Sequence, residues 1–254
     1  MNALLSGEGI TKHFAGVTAL SGFSFEVPSG AITGVIGPNG SGKTTLMNII
    51  TGLYRADRGD LFFDGRNITG LPPHRIAALG IARSFQNIRL FSDQTILENV
   101  LLGTHLHRQA GIADILLRLP RLRREERAAE SFCRELLERF ELKHLAEHPV
   151  GRLSYGDRRR VEIVRALALR PRLLLLDEPA AGMNATEKLR LAGLIRRIRD
   201  ERISILLIDH DMEMVMRLCD SVTVLNFGKK LASGLPCEIQ GNPAVREAYL
   251  GLES

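Results

Sequence analysis

The chain has no tryptophan, and phenylalanine, tyrosine and tryptophan together make up 5% of its 254 residues. Base-stacking platforms for single-stranded nucleic acid are built from such side chains, and none is evident. Cysteine is also sparse. Cys133, Cys219 and Cys237 are odd in number and far apart, so they give neither metal-ligand spacing nor a disulfide framework, and a reducing compartment is expected. Long apolar runs are missing. A stretch such as Leu173 to Leu176 is far too short to cross a bilayer. The N-terminus "MNALLSGEGITKHF" lacks a basic region followed by an apolar core, so no secretory signal is expected. The chain is expected to be soluble and to reach a membrane only through partners.

What is present is ordinary in bulk. Hydrophobic residues make up 44% and charged residues 25%, as in soluble globular proteins. The net charge of +5 is mild, and arginines are interleaved with acids, which argues against a nucleic-acid tract. One locally basic stretch, Arg118 to Arg127, reads as a solvated helix face or as a contact for lipid headgroups or a partner.

The most informative segment is "GPNGSGKTT", Gly37 to Thr45, between the apolar run "AITGVI" and the helically spaced "LMNIITGL". It fits G-x-x-x-x-G-K-[ST] at Gly37, Gly42, Lys43 and Thr44. Glycines let the backbone curl so that successive N–H groups converge, and the following helix adds the positive end of its dipole. Lys43 can reach the outer phosphates and the Thr44 hydroxyl can ligate magnesium. Pro38, Asn39, Gly40, Ser41 and Thr45 complete the expected phosphate cradle.

Short strands are expected up to about residue 35, then a strand pair in "DRGDLFFDGRNI", a helix in "PPHRIAALG" and a strand in "IARSFQ". From about Asp93 to Glu147 the spacing turns helical, in "QTILENVLLGTHLH" and "REERAAESFCRELLERFEL". A helical subdomain over about 93–150 is therefore expected inside a single domain of 1–254. "SYGDRRRVEIVRALAL" reads as a helix, "RLLLLDEP" and "ISILLIDHD" as buried strands, and "ATEKLRLAGLIRRIRDE" as an amphipathic helix between them. "SVTVLNFG" and "KKLASG" read as strands and "NPAVREAYLG" as a closing helix. Strands alternating with helices after a P-loop imply an α/β fold with a mainly parallel core sheet, an N-terminal antiparallel β region and the helical insertion.

In such sheets ligands bind beyond the carboxyl ends of the strands. "LLLLDE" delivers Asp177 and Glu178 there, and "ILLIDH" delivers Asp209 and His210. Asp177 is the candidate magnesium carboxylate, and Glu178 the candidate for orienting or deprotonating water. An acidic pair after a strand also serves as a helix cap. His210 is a candidate sensor of the γ-phosphate. Gln86, at the end of "IARSFQ", can bond both magnesium and water.

"GPNGSGKTT", Gln86, "LSYGD", "LLLLDEP" and "DH" follow one another in the order that marks the ATP-binding subunits of ABC transporters, and the resemblance covers essentially the whole chain. It implies an ATP hydrolase using ATP and Mg2+, with Glu178, His210 and Gln86 catalytic and Thr44, Gln86 and Asp177 at the metal. It further implies that Ser154 and Gly156 meet the γ-phosphate held by a second ATPase subunit, in a homodimer or heterodimer, and that Phe14 stacks on adenine. "ITGLPPHRIAALGIARSFQNIRLF", "DEPAAGMN" and "NPAVREAYLG" narrow the resemblance to the ATPases of branched-chain amino-acid importers. That group implies integral membrane permease subunits, indirectly a substrate-binding protein, no nucleic acid, and a peripheral place on the cytoplasmic face of the inner membrane. The alternatives are the ATPase of a lipopolysaccharide or lipid exporter and a soluble ABC factor acting on DNA or ribosomes. Tyr155 and Asp157 depart from the common LSGGQ signature, and Asn184 stands where many ABC proteins carry aspartate.

Overall fold

The computed structural model describes residues 3–84, 88–105 and 120–250. The chain divides into two compact units, one of residues up to 86 and from 172 onward, the other of residues 87–171.

In the first unit, β1 (Ala3–Phe14), β2 (Val17–Pro28), β4 (Arg58–Phe63) and β5 (Arg66–Asn67) form an antiparallel sheet in the order β2-β1-β4-β5. A second sheet has the order β10-β9-β3-β8-β7-β6. Its strands are β3 (Ile32–Ile36), β6 (Ile81–Ser84), β7 (Leu173–Asp177), β8 (Ser204–Ile208), β9 (Ser221–Asn226) and β10 (Lys229–Gly234). Only the β9–β10 hairpin is antiparallel. Every residue of β3, β7 and β8 is buried, which is why these strands are mostly apolar rather than alternating. The helices of this unit are α1 (Lys43–Ile50), α2 (Pro73–Ala78), α6 (Ala185–Asp200), α7 (Met212–Leu218), α8 (Pro236–Gly241) and α9 (Pro243–Leu250). Leu46, Met47, Ile49 and Ile50 of α1 join Phe23, Phe25, Leu61 and Phe63 of the antiparallel sheet and Leu175 and Leu206 of the other in one core.

The register decides where the site lies. Val35 pairs with Ile208, and Ile208 pairs with Asp177. β3, β7 and β8 therefore end level with one another, and the segments beginning at Gly37, Glu178 and Asp209 leave the sheet along the same edge.

The second unit holds α3 (Ile96–Leu102), α4 (Pro120–Arg139) and α5 (Tyr155–Leu167). A capping box of Thr95 and Glu98 starts α3. Arg159 and Glu162 of α5 form an ion pair at 2.7 Å with side chains 0% and 1% exposed. The described part of the basic stretch lies on α4, where Arg121, its side chain 57% exposed, pairs with Glu125. Residues 118 and 119 of the basic stretch lie outside the described residues. The short helices α7 and α8 have no counterpart in the sequence reading.

Candidate active site

The phosphate cradle is built by close backbone approach. Gly37 and Gly42 adopt φ of 158° and 110°. A Cβ on Gly37 would stand 2.0 Å from the Leu225 carbonyl oxygen, and one on Gly42 would stand 2.4 Å from that of Ala19. No larger residue fits either place. Gly42 caps α1 without a side-chain hydrogen bond, and no acid occupies the first turn, so the helix N-terminus keeps its donors and its positive dipole end for an anion. Pro38 and Ser41 are buried while Asn39, Gly40 and Thr44 are exposed, and Thr45 is half-buried. The Ser41 hydroxyl is buried with no hydrogen-bond partner among the described residues.

The β9–β10 turn supports this loop, a role that sequence reading missed. The Gly228 N–H donates to the Ser41 carbonyl at 2.9 Å, and the Ser21 N–H to the Gly228 carbonyl at 2.8 Å. Phe227 and Gly228 both lie in the left-handed region, with φ of 44° and 75°. That is the turn conformation matching the twist of a two-residue hairpin. The "NFG" tripeptide was the available signal.

Lys43 is 6% exposed, and its ammonium donates to the Gly37 and Pro38 carbonyls at 2.6 and 2.8 Å. Burial pulls its pKa below the ordinary lysine value, against the opposing charges of Glu178, Asp177 and Asp209. All three carboxylates come from the ends of β7 and β8, level with the end of β3 that leads into the P-loop. Asp177 is 3% and Asp209 0% exposed. Burial raises the Asp209 carboxyl above the usual carboxylate range. Asp209 also joins two loops, accepting from the Asp211 N–H at 3.0 Å and the Ala180 N–H at 3.4 Å.

Glu178 holds φ of 45°, a left-handed conformation that costs a non-glycine residue about 1–3 kcal/mol and persists only where surroundings enforce it. Here its N–H donates to the Ile208 carbonyl at 2.7 Å. That bond fixes the residue after β7 to the end of β8. His210, with a side chain 56% exposed, places Nδ1 3.6 Å from Glu178 Oε2 and 3.7 Å from Asp209 Oδ1.

The structure therefore brings together Gly37 to Thr45, Asp177, Glu178 and His210. Phe14 lies at the end of β1, 39% exposed, with its ring edge-on to Tyr54 at 5.3 Å and beneath Lys12 Nζ at 5.4 Å. Gln86 lies outside the described residues. Ser154 and Gly156 belong to the helical unit. Ser154 is the exposed N-cap of α5, its Oγ accepting from the Asp157 N–H at 3.1 Å. The Asp157 carboxylate is held by the Ser154 hydroxyl at 3.0 Å and by Arg160 at 3.2 Å, so the unusual aspartate closes the first turn of its own helix. Asn184 caps α6 in a box with Glu187, which an amide performs without aspartate's charge.

The donor set suits Mg2+ arriving with phosphates. Thr44 lies exposed at the helix start, and Asp177 ends β7 as a buried carboxylate. Among the described residues no group of three or more histidine, cysteine, aspartate or glutamate side chains could hold a metal unaided. A metal that keeps waters and takes phosphate oxygens needs no such cage.

Residues 20–181 match the ABC transporter family, and residues 229–253 match the C-terminal family described as branched-chain amino acid ATP-binding cassette transporter. The chain is 43% identical over 249 residues to the high-affinity branched-chain amino acid transport ATP-binding protein BraF of Pseudomonas aeruginosa, covering 98% of each. It is 36% identical over 251 residues to the lipopolysaccharide export system ATP-binding protein LptB of Acidithiobacillus ferridurans, covering 99% of this chain and 98% of that one. Among solved structures it superposes with a TM-score of 0.87 and 32% identity on an ATP-binding cassette of an ABC transporter in its ADP conformation, covering 99% and 100% of the two chains.

Proposed function

The chain belongs to the ABC transporter ATP-binding family, and from that premise we propose that it powers uptake of branched-chain or related amino acids through separate permease subunits. It binds and hydrolyses ATP. The observation that carries the site assignment is the meeting of Glu178 and His210, 3.6 Å apart, at the edge where Lys43 and the P-loop emerge.

The residues divide the work. The P-loop N–H groups and Lys43 receive the phosphates, with Lys43 exchanging its carbonyl partners for phosphate oxygens. Thr44 and Asp177 would hold Mg2+, which would supply Lewis-acid stabilisation of phosphate charge. Glu178 accepts a hydrogen bond from the attacking water and orients it. His210 holds the γ-phosphate from the side. Phosphoryl transfer to water rests mostly on such positioning and charge stabilisation. Phe14 offers an exposed ring to adenine.

Ser154 and Gly156 act on the nucleotide of a second ATPase subunit, where the α5 N-terminus adds its dipole. ATP then links two subunits, and hydrolysis releases them. Gln86 and the helical unit carry that closure to the permease. No helix among the described residues is long and apolar enough to cross a membrane, so attachment to the cytoplasmic face comes through those partners. The C-terminal family match over residues 229–253 and the 43% identity to an amino-acid transport ATPase favour amino-acid uptake over lipopolysaccharide export.

The test is reconstitution of the chain with its permease in liposomes. ATP hydrolysis stimulated by a loaded amino-acid-binding protein, with uptake of labelled leucine, supports the proposal. Stimulation by lipopolysaccharide and not by the binding protein contradicts it.

A further inference from the structure

Arg83 stands on β6, beside β7 and the Asp177 that ends it. Its Nη2 donates to Asp177 Oδ2 at 2.7 Å, and the two side chains are 7% and 4% exposed. Its Nη1 donates to Asn48 Oδ1 at 2.7 Å and reaches Thr51 Oγ1 at 3.3 Å. One guanidinium therefore ties the metal-side carboxylate to the last turn of the helix that begins at the P-loop. No other hydrogen bond to the Asp177 carboxylate occurs among the described residues, so Oδ1 is the oxygen left for a metal's shell.

The charge on that carboxylate matters as much. Asp177 is 3% exposed, and a buried carboxylate without a partner would favour any cation that could reach it. Arg83 supplies a permanent cation and occupies one oxygen of the carboxylate best placed to bind metal. Arginine suits this place because its planar fork spans two acceptors and keeps its charge when buried.

We propose that Arg83 is a positioning residue that prevents Asp177 from holding a divalent cation by itself, so that magnesium is retained only together with the nucleotide's phosphates. This rests on the assignment of Asp177 to the magnesium site made above. The consequence is ordered release: once the phosphates leave, the Asp177 carboxylate, its charge already balanced by Arg83, would not retain the metal on its own.

Mn2+ serves as a paramagnetic probe in place of Mg2+. Its affinity for the full-length chain is measured by electron paramagnetic resonance with and without ADP, and ADP affinity is measured separately in EDTA. Arg83→Met removes the charge from a buried pair, and Mn2+ affinity without ADP should rise by about tenfold or more. The ratio of affinities with and without ADP should narrow accordingly, while metal-free ADP affinity stays at the parental value. Arg83→Lys keeps a cation and should retain the parental ratio. Should Arg83→Met fail to fold, Arg83→Gln, which keeps hydrogen-bond donors without charge, should show the same rise. An unchanged ratio in the folded neutral variant overturns the proposal, as does Arg83→Lys behaving like the neutral variant. Asp177→Asn separates the two levels. If it leaves ADP-dependent Mn2+ binding intact, the metal-site assignment itself fails. If it abolishes that binding while Arg83→Met leaves the ratio unchanged, only the role of Arg83 fails.

Discussion

Glu178 and His210 face each other from the ends of adjacent parallel strands, with His210 Nδ1 3.6 Å from Glu178 Oε2. Neither residue is held there by the other alone. The Ile208 carbonyl fixes the Glu178 backbone, and Asp209 is anchored to both flanking loops. His210→Ala removes a side chain that is 56% exposed and so should leave the fold and ADP affinity unaltered. Hydrolysis should fall by about 10²–10³-fold, as on losing one positioned donor to transition-state charge. Steady-state ATPase assays beside ADP titrations check this; a matching loss of ADP affinity would assign His210 to ground-state binding instead.

Lys43→Ala should weaken ATP binding by about 10- to 100-fold, since a hydrogen bond to a charged group contributes about 1.5–3 kcal/mol. The ammonium bonds only to the Gly37 and Pro38 carbonyls among the described residues, so the chain should still fold, with a lower unfolding midpoint without nucleotide from the loss of those two bonds. Direct calorimetric titration is the measurement, and parental affinity would refute the role.

The loop glycines should differ in their tolerance. A Cβ on Gly42 meets the Ala19 carbonyl oxygen at 2.4 Å, whereas one on Gly40 meets nothing within 4 Å. Both have positive φ, so each alanine carries backbone strain of about 1–2 kcal/mol. Gly42→Ala adds a backbone clash and should cost both stability and nucleotide affinity, while Gly40→Ala should show the strain alone. Urea unfolding with paired nucleotide titrations distinguishes them.

Ser154 has two separable duties. As the N-cap of α5 it contributes about 0.5–2 kcal/mol of stability. Ser154→Ala should lose that and also nucleotide-dependent dimerisation. Ser154→Asn restores a cap but not a small hydroxyl, so it should recover the unfolding midpoint and not the dimer. Analytical ultracentrifugation with ATP reads the second effect, and full recovery of dimerisation by asparagine would reduce Ser154 to a cap.

Much of this was legible in sequence because glycine spacing and apolar strands ending in acids carry their own geometry. "GPNGSGKTT", "LLLLDE" and "ILLIDH" each announce a strand and the functional group that follows it. Register was not legible. Nothing in the sequence states that Val35, Asp177 and Ile208 share a level, yet that pairing brings the P-loop, Glu178 and Asp209 to one edge of the sheet. The left-handed backbone of Glu178 was also hidden, since glutamate gives no sign of positive φ. Arg83 read as one polar residue of a short strand. Its partners Asn48, Thr51 and Asp177 come from two other elements, so only tertiary structure joins them. Asp157 read only as a departure from the common signature, and its place in the first turn of α5 is visible only through Ser154 and Arg160.

The central claim is that Glu178 drives ATP cleavage at a site built by the P-loop. Glu178→Gln keeps size and hydrogen bonding while removing the base and its charge. ATP affinity should survive, because Lys43, Thr44 and the loop amides remain. The most direct measurement is single-turnover hydrolysis in the reconstituted transporter at saturating ATP and Mg2+. The account predicts a fall of about 10²–10⁴-fold, the range for losing a positioned general base, with uncleaved ATP holding the paired ATPase subunits together. Cleavage at the parental rate would contradict it and leave Glu178 as a capping residue beside the metal carboxylate.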